Sequence, residues 1–318
     1  MIKDKLVTLI GGGGFIGRYV AQELLAAGAR VRIVERDPRR AWFIKPLGGL
    51  GQTQFAGGDV TKPETIARAV AGSDAVVYLV GTWGPNYQGL HVAGVRAAAE
   101  AARATGAEAF VTVSALGADA ESDSRYYATK AQGEVAARAA FPEAIVVRPS
   151  VVFGPEDKFL NRFAGLITQA ASFPLRIVPV LRAKAKFQPV HVADLARGIA
   201  RLLDDAPAHA GQTIEAVGPE VVAMGELMRW LADTLGREVE LTELPDVLGK
   251  AIAYGGFLPG APITLDQWKM LQTDNVASGT NPTLTALGIA PTPMESAAPA
   301  WLVQYRKAGR FGLRAKTA

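Results

Sequence analysis

"LVTLIGGGGFIGRYVAQELL", Leu6 to Leu25, carries the reading of the fold. A short apolar run leads straight into four glycines, and a helical apolar pattern follows them at once. Strand, tight turn and helix within so few residues demand glycine for three reasons. The backbone must turn sharply, a ligand must approach it closely, and the helix must pack against the strand. The helix opening then presents free N–H groups and a partial positive charge, which suits the pyrophosphate of a dinucleotide. Two registers fit: Gly12-x-Gly14-x-x-Gly17, or Gly11-x-x-Gly14-x-x-Gly17.

Working outward, "RVRIVE", "DAVVYLV", "AFVTVSA" and "AIVVRPS" read as further buried strands. "TKPETIARAVAG", "VAGVRAAAEAARATG" and "KAQGEVAARAAF" read as the helices between them. Such alternation predicts an α/β fold, a Rossmann-type doubly wound parallel sheet, over residues 1–150. Elements from about 185–205 are expected to return to it. Residues 151–318, cut by prolines, are expected to form a smaller C-terminal α+β lobe with a basic tail. Within that lobe "VAMGELMRWLADTLG" has Met224, Leu227, Met228, Leu231 and Leu235 at helical spacing. Leu244 to Pro262 is apolar without a clear period.

The second strand ends at Glu35, about 20 residues beyond the glycines, where an acid receives a ribose 2′-hydroxyl and favours NAD(H). Arg36, Arg39 and Arg40 stand just behind it and favour the additional phosphate of NADP(H). One acid against three cations leans toward NADP(H), with NAD(H) kept as the alternative. Asp59 and Val60, after the third strand, are placed to edge the adenine. Val80 and Gly81, at the end of the fourth, are placed beside the cofactor.

"SRYYATK", Ser124 to Lys130, sets Tyr126 and Lys130 four apart on one helix face. A phenol brought from a pKa of about 10 to about 7 needs roughly 4 kcal/mol, which one close ammonium supplies at intermediate dielectric. Tyr126 is therefore a candidate acid/base, and Lys130 its electrostatic partner. His91 is expected to cap and pack, with proton relay as its alternative. His191 is given a structural role, and Asp194 is expected to cap a helix. With three histidines and no ligand spacing, no metal is expected.

The 318 residues contain no cysteine, which removes disulfides, thiol nucleophiles and thiolate metal sites. At 49% hydrophobic and 20% charged the composition is that of an ordinary globular protein, and the apolar stretches are too interrupted to span a membrane. Met1 leads almost directly into a core strand, so no signal peptide is expected and a cytoplasmic location is. After Glu295 come Arg306, Lys307, Arg310, Arg314 and Lys316 without an acid, five cations that exceed the whole net charge of +4. That basic tail reads as a solvated, frayed terminus, with contact to an acidic partner or anionic lipid as the alternative. No nucleic-acid partner is expected.

Gly11-x-x-Gly14-Phe15-Ile16-Gly17, Tyr126-x-x-x-Lys130, Arg148-Pro149-x-x-Val152-Phe153-Gly154-Pro155 and Pro189-Val190-His191-Val192-x-Asp194 together resemble the extended and atypical short-chain dehydrogenases. "YYATKAQGEVAARAAFPEAIVVRPSVVFGPEDKFLNRFA" is more closely similar to the nucleotide-binding accessory subunit of mitochondrial complex I and its bacterial relatives. The resemblance implies bound NADPH that stabilises rather than turns over, with Phe15, Ile16, Pro149 and Val152 added to the cofactor contacts. It implies that Lys130 holds the nicotinamide ribose, and it points to respiratory complex I as a partner at the inner face of the membrane. It implies a hydroxyl that orients the substrate oxygen, for which Ser114 is the candidate, and it exposes a departure: the working hydroxyl of extended members stands one or two positions after Ser114, where this chain has Ala115 and Leu116. An oxidoreductase or epimerase acting on a carbonyl or quinone-related substrate is the alternative.

Overall fold

The computed structural model describes residues 1–256, 263–307 and 309–311, and the chain divides into two compact units. The first comprises Met1–Pro149, Val192–Ala216 and Ala277–Ala290; the second comprises Ser150–His191, Val217–Val276 and Pro291–Ala318. Arg314 and Lys316 of the basic tail, the Arg310 side chain and residues 257–262 lie outside the described residues.

The first unit is built on a seven-stranded sheet. Its strands are β1 (Leu6–Ile10), β2 (Arg30–Glu35), β3 (Thr53–Gly57), β4 (Ala75–Tyr78), β5 (Ala109–Val113), β6 (Ile145–Pro149) and an edge strand, Thr213–Ala216. All neighbours pair parallel, in the order edge strand, β6, β5, β4, β1, β2, β3. β1, β4 and β5 are buried along their whole length, as expected of strands covered by helices on both faces. Helices α1 (Phe15–Ala26), α2 (Pro63–Val70), α3 (Gly94–Ala104) and α4 (Arg125–Ala140) form the crossovers. Ile10, Ile66, Val76, Tyr78, Ala98 and Phe110 make much of one core layer.

The chain leaves β1 toward β2 and β3, then returns to build β4, β5 and β6 on the other side. The strand order therefore reverses between β1 and β4, and a crevice forms beyond their carboxyl ends at such a reversal. Two loops meet there: a Cβ added to Gly11, after β1, would lie 3.0 Å from Val80 Cγ2, after β4. "VAGVRAAAEAARATG" is not one regular helix, because a π-helical turn, Gln88–Ala93, precedes α3. β3 lacked a clean apolar run in the sequence, and its burial is correspondingly only partial.

Residues 192–216 return with a helix, Val192–Asp204, that packs beside α1, and with the edge strand. Asp194 lies fully buried in the first turn of that helix and pairs with Arg197. The buried Glu215 carboxylate on the edge strand accepts the Ser278 N–H (2.8 Å), the Ser278 hydroxyl (2.7 Å) and the Asn281 amide (3.0 Å). One carboxylate with three donors thus pins Ala277–Ala290 to the sheet.

The second unit has three two-stranded pairs and several helices. Met224–Leu235 buries Met224, Leu227, Met228, Leu231 and Leu235, the stripe its spacing predicts. They pack with Phe153, Leu160 and Ile167. Asp157 opens the helix Leu160–Ala170 by accepting the N–H groups of Gly154 (3.0 Å) and Phe159 (2.7 Å). Asp246–Tyr254, within the aperiodic apolar segment, is a helix that leaves Val247, Leu248 and Tyr254 exposed.

Candidate functional site

The glycine turn chooses between its two registers. Gly11 takes φ +84°, a conformation that disfavours any side chain, so it begins the turn as the Gly11-x-x-Gly14-x-x-Gly17 reading requires. At Gly17 a Cβ would stand 2.5 Å from the Gly12 carbonyl oxygen, so only glycine lets α1 start this close to the strand. No side chain caps α1 at Gly14, and no acid lies in its first turn, which contains Phe15, Ile16 and Gly17. These amides form a cradle for an anion.

The acid and the arginines sort differently from their order in sequence. Glu35 turns back to the loop, where its Oε1 accepts the Gly13 N–H at 2.8 Å. Arg39 is held by Asp37 at 2.9 Å, and that contact lowers the Asp37 carboxyl pKa. Arg36 and Arg40 stay exposed at the end of β2. Asp59 accepts the Thr61 N–H (2.9 Å) and hydroxyl (2.7 Å), which hold its carboxyl below the usual range, while Val60 is buried.

At the other end of the crevice Lys130 is buried, and its Nζ donates to the Val113 carbonyl at 3.0 Å. Burial lowers its pKa to about 8 against the opposing pull of Glu134. Glu134 is itself buried and is fixed by both arms of Arg148, at 2.9 and 2.7 Å. A Cβ on Gly81 would lie 3.8 Å from Lys130 Nζ, so the end of β4 and the α4 ammonium face one another. Pro149 ends β6 in this unit, whereas Val152 belongs to the second unit and pairs there with Val190.

Tyr126 is half-buried, with Lys130 Nζ 5.8 Å from its ring centroid. Trp83 lies flat on the ring, the centroids 4.3 Å apart and the planes 13° from parallel. Tyr87, His91 and Tyr127 meet it edge-on at 6.1, 5.4 and 5.9 Å. Burial, then the neighbouring Tyr127 and Tyr87, raise the Tyr126 hydroxyl pKa, away from the neutral value an acid/base tyrosine needs. The adjacent tyrosine has a different task, since the Tyr127 ring packs on Gly117. Ser114 Oγ is buried with no hydrogen-bond partner among the described residues, and Ala115 and Leu116 are buried after it.

His91 ties these parts together. Its Nε2 accepts the Thr82 N–H at 3.2 Å, so that nitrogen carries no proton. Its Nδ1 stands 3.1 Å from the Thr129 hydroxyl, which donates to the Arg125 carbonyl at 2.7 Å and is thereby left to accept. Burial and Lys130 push the imidazole pKa down to about 3. His91 is a neutral clamp between the loop after β4 and α4, in line with its packing role. Trp83, Tyr87, Thr129 and Glu134 went unread in the sequence. Only Trp83, an isolated aromatic between Gly81 and Gly84 directly after a strand, carried a signal.

The anion cradle, the close-packed Gly17, the buried Ser114 hydroxyl without a partner among the described residues, and the buried Lys130 facing Gly81 fit a bound dinucleotide. The comparisons agree with that geometry. Over 305 residues, 92% of this chain and 78% of the relative, the chain is 34% identical to NADH dehydrogenase (ubiquinone) 1 alpha subcomplex subunit 9, mitochondrial, of Mus musculus. It is 32% identical over 246 residues, 76% of this chain and 74% of the relative, to a ceramide reductase of Caulobacter vibrioides. In fold it matches the Citrobacter sp. triphenylmethane reductase complexed with NADP(H), at TM-score 0.75 and 19% identity, over 93% of this chain and 99% of the other. The pattern that defines the NAD dependent epimerase/dehydratase family runs through residues 7–216, and it is to this family that the chain belongs.

Proposed function

We propose that this protein is an accessory-subunit-like structural or assembly component of respiratory complex I that holds NADP(H) as a fixed ligand. Support comes from one contrast within the site: the cradle for the nucleotide is complete, while the group that would do chemistry is covered. Gly11, Gly14, Phe15, Ile16 and Gly17 take the pyrophosphate; Arg36 and Arg40 take the phosphate of the adenosine ribose, while Glu35 braces the glycine loop at Gly13; Asp59 and Val60 edge the adenine. Val80, Gly81, Pro149 and Lys130 line the nicotinamide end, Lys130 gripping the ribose hydroxyls there. The exposed Arg36 and Arg40, with Glu35 turned to Gly13, favour NADP(H) over NAD(H).

Bound nicotinamide supplies a hydride donor or acceptor. Lys130 orients it, and Tyr126 would supply the proton to a substrate oxygen, with Ser114 as the remaining hydroxyl. A second reading, an active reductase, is favoured by the joint presence of Tyr126 and Lys130 and by the likeness to the ceramide reductase. Among the described residues no helix is long and apolar enough to cross a membrane. Peripheral attachment at the inner face of the respiratory membrane, through the second unit and the basic tail, is therefore the form of association we favour. Its candidate contact is the exposed Val247, Leu248 and Tyr254.

The test is to purify the protein from its own membranes and to measure nucleotide identity and exchange. NADP(H) retained through gel filtration, together with co-migrating complex I subunits, is the expected result. Rapid exchange with substrate-dependent NADPH oxidation would favour the reductase instead.

A further inference from the structure

Trp83 was not needed for the cradle, yet it occupies the most consequential position at the nicotinamide end. The residue is 54% exposed, so burial in a core does not account for its placement. It lies on Tyr126 at 4.3 Å, whereas inserting a second flat ring between two rings needs about twice a stacking distance. Its loop is anchored at Thr82 by His91 and at the start of the π-helical turn, where Asn86 accepts the Gly89 N–H at 3.1 Å. Between those anchors Gly84 follows the ring, and its N–H donates to the Thr82 hydroxyl at 2.8 Å. The backbone on both sides of the ring is thus fixed, and only the Trp83 side chain itself covers the tyrosine.

We propose that Trp83 is a specificity-determining shutter: stacked on Tyr126 it keeps carbonyl acceptors from the tyrosine, and only a flat conjugated carbonyl that replaces Tyr126 against its ring gains access. The inference rests on the nucleotide reading above, and it explains why the nucleotide would remain a ligand rather than a cosubstrate. Turnover at an opened site is a two-electron reduction. The acceptor carbonyl takes a hydride from the reduced nicotinamide and a proton from the Tyr126 hydroxyl, giving the alcohol or quinol and oxidised nicotinamide, and Tyr126 regains its proton from water. Among the described residues, the titratable and charged groups facing Tyr126 include Tyr87, His91, Tyr127 and Lys130, with Arg125 beyond Tyr87.

The experiment compares the full chain with Trp83→Ala, Trp83→Phe, Tyr126→Phe and Trp83→Ala/Tyr126→Phe. NADPH affinity is read from nucleotide fluorescence, and the stack from near-ultraviolet circular dichroism. Access is read from the alkaline titration of Tyr126, taken as the difference between each protein and its Tyr126→Phe counterpart. Oxidation of NADPH by a one-isoprene ubiquinone is the fourth readout. Expected for Trp83→Ala are unchanged NADPH affinity, loss of the aromatic dichroic signal, a Tyr126 titration moved down by about one unit, and a rate at least tenfold above the parent. Trp83→Phe, which keeps a flat ring, should resemble the parent, and the double variant should lose the gained rate.

If all variants bind NADPH equally and Trp83→Ala neither titrates nor reacts differently, the shutter is wrong and the nucleotide reading stands. A gained rate that persists in the double variant also overturns it, since Tyr126 would then not be the shielded group. If the parent binds no NADPH, the nucleotide reading falls and takes the shutter with it.

Discussion

The two ends of the crevice are built from different materials. The cradle after β1 is backbone: a left-handed Gly11, a Gly17 that tolerates no Cβ, and a helix opening with no acid in its first turn. The end beneath β4 and β5 is side chain: Trp83 over Tyr126, a neutral His91 clamp, a buried Lys130, and a Glu134–Arg148 pair behind it. Backbone amides hold phosphate whatever the neighbouring side chains do, but a proton transfer needs each group placed and solvated correctly. On the proposed reading, grip and catalysis are therefore separable here, and the grip is the part kept whole.

Acid should expose the contrast first, because the buried titratable groups belong to the side-chain end. His91 has a folded pKa of about 3 against about 6.5 when unfolded, so below pH 6.5 the unfolded chain binds a proton that the native one refuses. The corresponding stability is present above 6.5 and is lost as pH falls toward 3, in total about 5 kcal/mol. Urea titrations between pH 7 and pH 4.5 should show about half of that loss, and His91→Asn should lack it.

Glu134→Ala should come next. It leaves Arg148 without its buried partner and should cost about 3–5 kcal/mol at neutral pH, with a smaller cost if Arg148→Met is added. Thermal or denaturant unfolding of the two single variants and the double variant measures this.

Lys130 acts in the same pH direction as His91, but in an alkaline interval. Its folded pKa of about 8 lies below the ordinary value of about 10.5, so between these limits the unfolded chain holds the extra proton. Native stability should rise with pH across that interval by up to about 3 kcal/mol, and Lys130→Met should remove the rise. A flat profile in the parent would contradict a buried ammonium. The same variant should weaken NADPH binding, whereas Tyr126→Phe should leave it within about twofold, since the tyrosine is assigned no part in the grip. The smallest effect is the stack itself: a double-mutant cycle on Trp83 and Tyr126 should give a coupling of about 1 kcal/mol.

The sequence was most readable where the structure is local. The strand, glycine turn and helix of residues 6–25 are contiguous, so spacing alone located them, and only the choice of register awaited the φ of Gly11. Tyr126 and Lys130 were legible because a helix converts a separation of four into adjacency. Trp83 meets Tyr126 across a long separation, through the side-by-side placement of β4 and β5 and the packing of α4 behind them, and no period in the chain encodes that meeting. The retreat of Glu35 to Gly13, and of Arg39 to Asp37, was equally hidden. Both depend on where a side chain turns after its backbone has been placed, and charge counting along a segment does not resolve that.

The central claim is that the nucleotide is held rather than consumed. The most direct measurement is the exchange rate of radiolabelled NADP(H) on the protein purified with its native nucleotide, followed in the presence and absence of a quinone acceptor. NADP(H) that stays bound for hours, with acceptor making no difference, is the predicted result. Exchange within seconds, accelerated together with NADPH oxidation when acceptor is added, would contradict it.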